Sequence, residues 1–96
     1  MIKDVYYEGE DFKLSITVVN NEVFLHCLVY DWKLSSLRKG FKIFGRMMKE
    51  LKENGFNEIY SISPNPKFCE MMGGRSIGIL EKEGLTYEVF KWDLTL

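Results

Sequence analysis

Residues 22–62 read EVFLHCLVYDWKLSSLRKGFKIFGRMMKELKENGFNEIYSI, and their pattern decides the fold. The first part, Glu22–Trp32, is rich in β-branched and aromatic residues, which predicts a strand. Both faces of this strand are mostly apolar, so we expect it in the centre of a sheet, covered on both sides. A loop at Lys33–Gly40 follows. From Phe41 the apolar residues recur every three or four positions, which predicts an amphipathic helix of about four turns.

The end of this helix and the next strand complete the unit. Asn54-Gly55 stops the helix, since glycine readily takes the left-handed conformation there, and Asn57–Ser61 then forms a short strand. A strand, a helix and a strand in sequence indicate a parallel pair with a right-handed crossover. The side of the helix that we expect to be buried consists of Phe41, Phe44, Met47, Met48 and Leu51.

A hairpin precedes this unit. Phe12–Val19 reads as a strand that pairs with the strand at residue 22 through Asn20-Asn21, because asparagine tolerates the positive φ angles of a tight turn. Asp4–Tyr7 adds a short edge strand before it.

The C-terminal third predicts a short helix and a last hairpin. A nearby proline suits the first turn of a helix at Lys67–Met72, and Ser76–Lys82 pairs with Leu85–Leu94 around a glycine turn. The fold class is therefore α+β, with a mixed, mostly antiparallel β-sheet, a central β-loop-α-β unit and two helices. At 96 residues, we expect a single domain over residues 1–96.

Composition is that of an ordinary globular protein. The net charge of −1 gives no global field that would attract nucleic acid or an acidic membrane. Cys27 and Cys69 imply no disulfide framework. The first residues include acids and no apolar run, so we expect no signal peptide. No stretch reaches the roughly 18–20 apolar residues of a membrane span. These features predict a cytoplasmic protein without membrane partners.

The loop Lys33–Gly40 combines features that favour an anion. Helix N-termini carry unpaired N–H groups and a partial positive charge, and phosphates bind there. Ser35 and Ser36 add hydroxyls, and Arg38 and Lys39 add charge. The alternative is structural, since serines cap helices and loop cations are often only solvated. The residues alone leave both interpretations open.

The order of the elements and two motifs resemble the GNAT-type N-acetyltransferase superfamily. In that family a central strand leads to a loop of the form Gln/Arg-x-x-Gly-x-Gly/Ala, whose backbone amides bind the pyrophosphate of acetyl-coenzyme A. Residues 37–42 are similar to this loop through the basic-x-glycine core Arg38-Lys39-Gly40, while Leu37 and Lys42 depart from the family's pattern. The resemblance implies acetyl-coenzyme A as the cofactor.

A second motif, Asn65–Gly73, is similar to the family's short helix that begins with asparagine. Phe68 matches an aromatic residue of that helix, and Cys69 stands where the family often has a tyrosine that protonates the departing coenzyme A thiolate.

Asp31, near the end of the central strand, is a candidate base. His26 is the other, although a core position is the preferred interpretation for it. The catalytic candidates are Asp31 and Cys69, and the cofactor-binding candidates are Ser36, Leu37, Arg38, Lys39, Gly40, Phe41, Lys42, Asn65 and Phe68.

Two functions of different classes follow. The first is an acyl-CoA-dependent N-acetyltransferase acting on an amine of a small molecule or a protein. The second is a catalytically inactive GNAT-like phage protein that serves as a binding, inhibitory or assembly module in the host cytoplasm or the virion. Nucleic-acid binding has less support because the net charge is near zero. A homodimer that pairs along an open sheet edge at Leu85–Leu94 is a further alternative.

Overall fold

The computed structural model describes residues 2–31, 33–63 and 66–94, which form a six-stranded sheet and two helices. Within these residues, neither helix has the length and apolar character of a membrane span. The elements are β1 (Ile2–Glu8), β2 (Phe12–Val19), β3 (Glu22–Val29), α1 (Leu34–Glu53), β4 (Glu58–Ser63), α2 (Pro66–Met71), β5 (Arg75–Lys82) and β6 (Leu85–Asp93).

The strand order is β1-β2-β3-β4-β6-β5. Strands β3 and β4 run parallel, joined by α1, and the other neighbouring pairs are antiparallel. This topology confirms the predicted fold class, including the central β-α-β unit. It also places β3 in the interior of the sheet, as predicted.

Both hairpin turns follow the local sequence. Asn20 and Asn21 have φ angles of 50° and 67°, and Glu83 and Gly84 have φ angles of 54° and 78°. Two successive positive φ angles match the right-handed twist of the paired strands. The two predicted hairpins are therefore confirmed.

Helix α1 begins at Leu34, so the predicted loop at Lys33–Gly40 is wrong. Residues 34–40 form about two turns of helix ahead of the predicted start. The reason is that Ser36 and Gly40 are buried and continue the buried side of the helix at the i+4 spacing that reaches Phe44. Because both residues are small and not strongly apolar, the hydrophobic period does not mark them.

The buried side of α1 also differs in detail from the prediction. Phe41 is half exposed, and Ile43 is buried with Phe44, Met47 and Leu51. The buried side of the helix therefore includes Ile43 and excludes Phe41. After the helix, Gly55 takes a φ of 87°, which confirms the predicted stop.

Both helices cover the same face of the sheet. The rings of Phe44 on α1 and Trp92 on β6 have centroids 5.4 Å apart. The Trp92 indole N–H donates to the carbonyl oxygen of Met72, just after α2, at 3.1 Å. The side chains of β3 that point to this face, such as Leu25, are buried, whereas Leu28 points the other way and is half exposed. The expectation that β3 is covered on both sides is therefore wrong.

Two smaller predictions are also corrected. His26 is exposed on the uncovered side of β3, where its Nε2 lies 2.9 Å from the Thr17 hydroxyl oxygen, so it is not a core histidine. Strand β6 lies between β4 and β5 rather than at an edge, because β4 pairs with it along its length. The open edge on that side is β5, Arg75–Lys82.

Candidate functional site

The start of helix α1 is closed by a carboxylate from the turn between β1 and β2. Asp11 Oδ2 accepts a hydrogen bond of 2.8 Å from Ser36 Oγ and one of 3.2 Å from Lys39 Nζ. Asp11 Oδ1 accepts one of 2.8 Å from the Tyr7 hydroxyl. The Tyr7 oxygen in turn accepts a bond of 2.7 Å from Lys39 Nζ. We call these four residues, Tyr7, Asp11, Ser36 and Lys39, the Asp11 corner.

The backbone of Asp11 also holds the connection between β3 and α1. Its carbonyl oxygen accepts the N–H groups of Tyr30 at 2.8 Å and Asp31 at 2.9 Å. The helical ladder then starts with the Leu37 N–H, which donates to the Lys33 carbonyl at 3.0 Å. N–H groups ahead of this point have no acceptor inside the helix. The carboxylate of Asp11 is held at this end of the helix.

The electrostatics of the Asp11 corner are those of a fixed charge pair. Burial by itself would raise the pKa of the Asp11 carboxyl, but the hydrogen bonds from Ser36, Tyr7 and Lys39 outweigh it and hold this pKa well below its usual range. Hydrogen bonds to Tyr7 and Asp11 raise the pKa of Lys39. The first turn of α1 contains no acidic residue, so Asp11 supplies the negative charge that a helix N-terminus favours.

One exposed side of helix α1 is lined by cations. Arg38, Lys42, Arg46 and Lys49 are exposed, and their spacing of three and four places them in one row along roughly 16 Å of helix. Among the described side chains, no carboxylate forms an ion pair with any of them. We call these four residues the basic stripe. An open cavity of about 550 Å³ lies at its start, lined by Arg38, Lys39, Phe41 and Lys42.

The parallel ladder between β3 and β4 is short. Its register pairs Val23–Phe24 with Ile59–Tyr60, and the pairing does not continue among the described residues beyond them. At the next position the hydroxyl of the buried Ser61 donates to the Leu25 carbonyl oxygen at 3.0 Å. A side chain thus replaces a backbone donor where the ladder ends, well before the carboxyl end of β3.

The structure does not bring the two catalytic candidates together. Asp31 is exposed, lies 3.3 Å from Lys33 in an ion pair, and faces an open cavity of about 350 Å³ beside the Asp11 corner. Cys69 on α2 is completely buried. Burial raises the pKa of its thiol, and the hydroxyls of Ser61 and Ser63 offset part of this effect. In this position the thiol does not contact solvent. The roles of both residues stay predictions.

The cofactor-binding candidates lie in different environments. Leu37 is half buried, and Asn65 lies outside the described residues. The buried candidates are Ser36, Gly40 and Phe68. The candidates that line the cavity of about 550 Å³ are Arg38, Lys39, Phe41 and Lys42. Of the cations in this set, Lys39 shares Asp11 with the buried Ser36 hydroxyl, whereas Arg38 and Lys42 lie along the side of the helix.

No protein-family model and no curated protein matches the sequence. Solved structures do match. An aminoglycoside 6′-acetyltransferase type Ii superposes with a TM-score of 0.69 at 17% identity, over 88% of this chain and 61% of its own. An N-acetyltransferase from Staphylococcus aureus Mu50 gives 0.66 at 9% identity, over 90% and 62%. A protein from Bordetella pertussis assigned to the GNAT acetyltransferases gives 0.61 at 7% identity, over 84% and 56%.

The fold is that of the GNAT acetyltransferases. The GNAT-like fold predicted from the sequence is thereby confirmed, at identities that establish the fold alone. The chain spans about three fifths of the length of these solved structures.

The residues present do not fit the pyrophosphate cradle that the GNAT resemblance implies. In that cradle, backbone N–H groups at the start of the helix bind the diphosphate, and hydroxyl and basic side chains there add to the binding. Here Ser36 and Lys39 bind Asp11 instead. The cavity at the helix start is lined by three carboxylates, those of Glu10, Asp11 and Asp31, and by two lysines. Lys33 and Lys39 are already paired with Asp31 and Asp11, so the remaining charge is negative and disfavours a diphosphate. The unpaired cations face a different cavity, along the side of the helix.

Sequence reasoning missed Tyr7 and Asp11. Both precede the helix by more than twenty residues, and neither stands in a motif that the family resemblance would mark. One signal was present, because the first turn of α1 has two serines and follows Lys33 but has no acid of its own. A negatively charged residue is therefore expected near the start of the helix, but the local sequence does not identify which residue it is.

Proposed function

We propose that this chain is a GNAT-fold binding module that recognises an acidic protein partner through the basic stripe and does not bind acetyl-coenzyme A at the start of α1. The observation that carries this proposal is the Asp11 corner. Asp11 takes the place there of the anion that the family's cradle binds, with Ser36 and Lys39 as its partners. A diphosphate would have to displace a carboxylate that three side chains hold.

The basic stripe supports an acidic partner. Its four cations are exposed and lack ion-pair partners among the described residues, although the whole chain has a net charge of −1. Phe41 beside them is half exposed, so the surface offers an apolar contact next to positive charge. This combination suits a protein segment with carboxylates and an apolar anchor. Nucleic acid is less favoured, because the net charge of −1 gives no wider positive field for a polyanion and Phe41 adds an apolar contact that a phosphate backbone does not use.

Calorimetry with acetyl-coenzyme A tests the first half of the proposal. We expect no heat of binding to the intact chain up to about 1 mM ligand, a concentration that corresponds to roughly −4 kcal/mol of binding free energy. Binding at lower concentration that is lost in Ser35→Glu would overturn the proposal, because Ser35 is exposed, lines the cavity at the start of α1 and lies outside the stripe.

Fluorescence anisotropy with labelled poly-L-glutamate and with a 20-base-pair DNA duplex tests the second half. We expect polyglutamate to bind, and Arg38→Glu together with Arg46→Glu to weaken it at least about tenfold. Lys82→Glu is the control, since Lys82 is an exposed cation on β5 and not on α1. If DNA binds more tightly than polyglutamate and its affinity falls steeply between 50 and 200 mM salt, the partner is a nucleic acid and the proposal fails.

The fold favours a second candidate function, an acyl-CoA-dependent N-acetyltransferase acting on an amine. The early end of the β3–β4 ladder at Ser61 supports it, since the sheet is open there. For this function, Asp31 is the candidate base and Cys69 the candidate acid, and Asp11 would have to leave the helix start. Release of free thiol from acetyl-coenzyme A with a polyamine, an aminoglycoside or a lysine peptide tests it. Release that Asp31→Asn abolishes would favour this candidate over the first.

The phage origin and the cytoplasmic location stay predictions.

A further inference from the structure

The face of the sheet opposite the helices is uncovered in the described part of the chain, and we call it the open face. Side chains that lie opposite each other on neighbouring strands share a face. Following the registers from β1 to β5 therefore assigns each strand residue to the open face or to the helix-covered one. The large apolar side chains on the open face that are 42% to 59% exposed are Val5, Leu28, Ile62, Leu80 and Leu85.

This apolar character extends across the sheet rather than sitting at one edge. The half-buried Phe24 and Tyr60 lie side by side on β3 and β4, with ring centroids 6.3 Å apart, and Val89 continues the surface on β6. An antiparallel sheet with one face in water normally presents polar side chains on that face. Contiguous apolar patches of this kind usually mark an interaction site.

We propose that the open face packs against the same face of a second copy of the chain, giving a homodimer with two sheets in the middle and the helices outside. The sheet has six strands of about eight residues. At roughly 4.8 Å between strands and 3.3 Å per residue, its face covers about 750 Å². A stable interface buries about 800 Å² per partner. Face-to-face sheets about 10 Å apart are a common packing arrangement.

The charges of the open face favour a copy of itself over a partner of opposite charge. Lys13 pairs with Glu8 at 3.3 Å, and Lys91 pairs with Glu58 at 3.1 Å and with Asp93 at 3.5 Å. Because these cations are interleaved with the carboxylates that pair with them, the face presents no patch of a single sign that would repel its own copy. A charged partner would find no complementary field there.

The polar groups between the apolar side chains are also satisfied within the chain. The Tyr60 hydroxyl donates to Glu58, and His26 is hydrogen-bonded to Thr17. Partial burial, with a smaller contribution from Lys3, lowers the pKa of His26, so the imidazole is neutral at pH 7. Burying such groups costs less than burying unpaired ones.

Sedimentation velocity from about 1 to 100 µM chain tests the proposal. We expect a species of twice the monomer mass of 11.3 kDa. The double variant Leu28→Lys/Ile62→Lys places two charges in the middle of the face and should raise the dimer Kd at least about 100-fold. Ile79→Lys is the matched control, because Ile79 is more exposed than either residue but lies on the other face of the edge strand β5. Circular dichroism checks that all variants are folded.

A dimer that Leu28→Lys/Ile62→Lys dissociates and Ile79→Lys leaves intact supports the open face. A dimer that only Ile79→Lys dissociates would instead pair along the β5 edge, and the proposal would be wrong. A wild-type chain that stays monomeric at 100 µM also overturns it, because the open face would then belong to another partner. If the double variant fails to fold, Leu28→Ser and Ile62→Ser as single variants give the same distinction with a smaller change in Kd.

Discussion

The hydroxyl of Ser36 donates a hydrogen bond of 2.8 Å to Asp11, a residue 25 positions earlier in the chain. This bond joins the turn between β1 and β2 to the start of α1. It satisfies a buried hydroxyl and places a carboxylate at the positive end of the helix in one contact. The same contact occupies the Ser36 hydroxyl and holds a carboxylate where a diphosphate would bind, so it stabilises this corner and disfavours the cradle.

Asp11→Asn tests the charge of this corner. The pKa of the carboxyl is lowered in the folded protein, so its ionised form stabilises the fold above the unfolded pKa of about 3.9, and this stabilisation is lost as the pH falls below that value. We expect the variant to be less stable than wild type at pH 7 and the difference to shrink below about pH 4. Urea unfolding between pH 7 and pH 2 measures it.

The control for the charge experiment is Asp31→Asn. Asp31 is an exposed carboxylate whose described partner is Lys33, and surface pairs of this kind contribute little. A difference between wild type and Asp11→Asn that stays constant across the pH range would show that the carboxylate charge is not what stabilises the corner.

Ser36→Ala tests the hydrogen bond itself. Ser36 is 1% exposed, so the substitution removes a buried donor and leaves Asp11 Oδ2 short of one partner. We expect a loss of about 1–2 kcal/mol in the free energy of unfolding. Ser35→Ala is the control at the neighbouring, exposed position, and should change stability by less than about 0.5 kcal/mol. Equal effects at the two positions would contradict the assignment.

Gly74 and Gly45 should respond to alanine in opposite directions. A Cβ on Gly74 would lie 2.7 Å from Cζ2 of Trp92 and 3.0 Å from the Cys69 carbonyl oxygen, whereas one on Gly45 would meet nothing within 4 Å. Gly74→Ala should therefore cost about 1–3 kcal/mol. Gly45→Ala, on the exposed side of α1, should stabilise by up to about 1 kcal/mol. Thermal unfolding of the two variants checks the signs.

The reactivity of the two thiols tests whether Cys69 reaches solvent. Cys69 is completely buried and Cys27 nearly so, and burial raises the pKa of the Cys27 thiol to about 12. Both should react with a disulfide reagent at pH 8 at least about 100-fold more slowly in the folded protein than after unfolding. Immediate reaction of one thiol that Cys69→Ala removes would instead place Cys69 within reach of a substrate.

The sequence predicts those parts of the fold that depend on neighbouring residues. Asn20-Asn21 predicts its hairpin because positive φ angles are a property of the residue itself, and Gly55 predicts the helix end for the same reason. The start of α1 is mispredicted because Ser36 and Gly40 are buried for their small size, which a hydrophobic pattern does not register. The apolar residues of β3 predict its central position in the sheet. They do not predict whether helices cover one face of the sheet or both.

The sequence by itself determined the order of the elements and the parallel strand pair with its helix, because periodicity and turn chemistry are local. Only the tertiary structure decided what the start of α1 binds and which sheet face is covered. Both depend on residues distant in the chain. Asp11, in the turn before β2, binds Ser36 on α1, and the two helices pack on one face of the sheet only. The segment Lys33–Gly40 therefore does bind an anion, as its residues suggest, and that anion is the Asp11 carboxylate of the same chain.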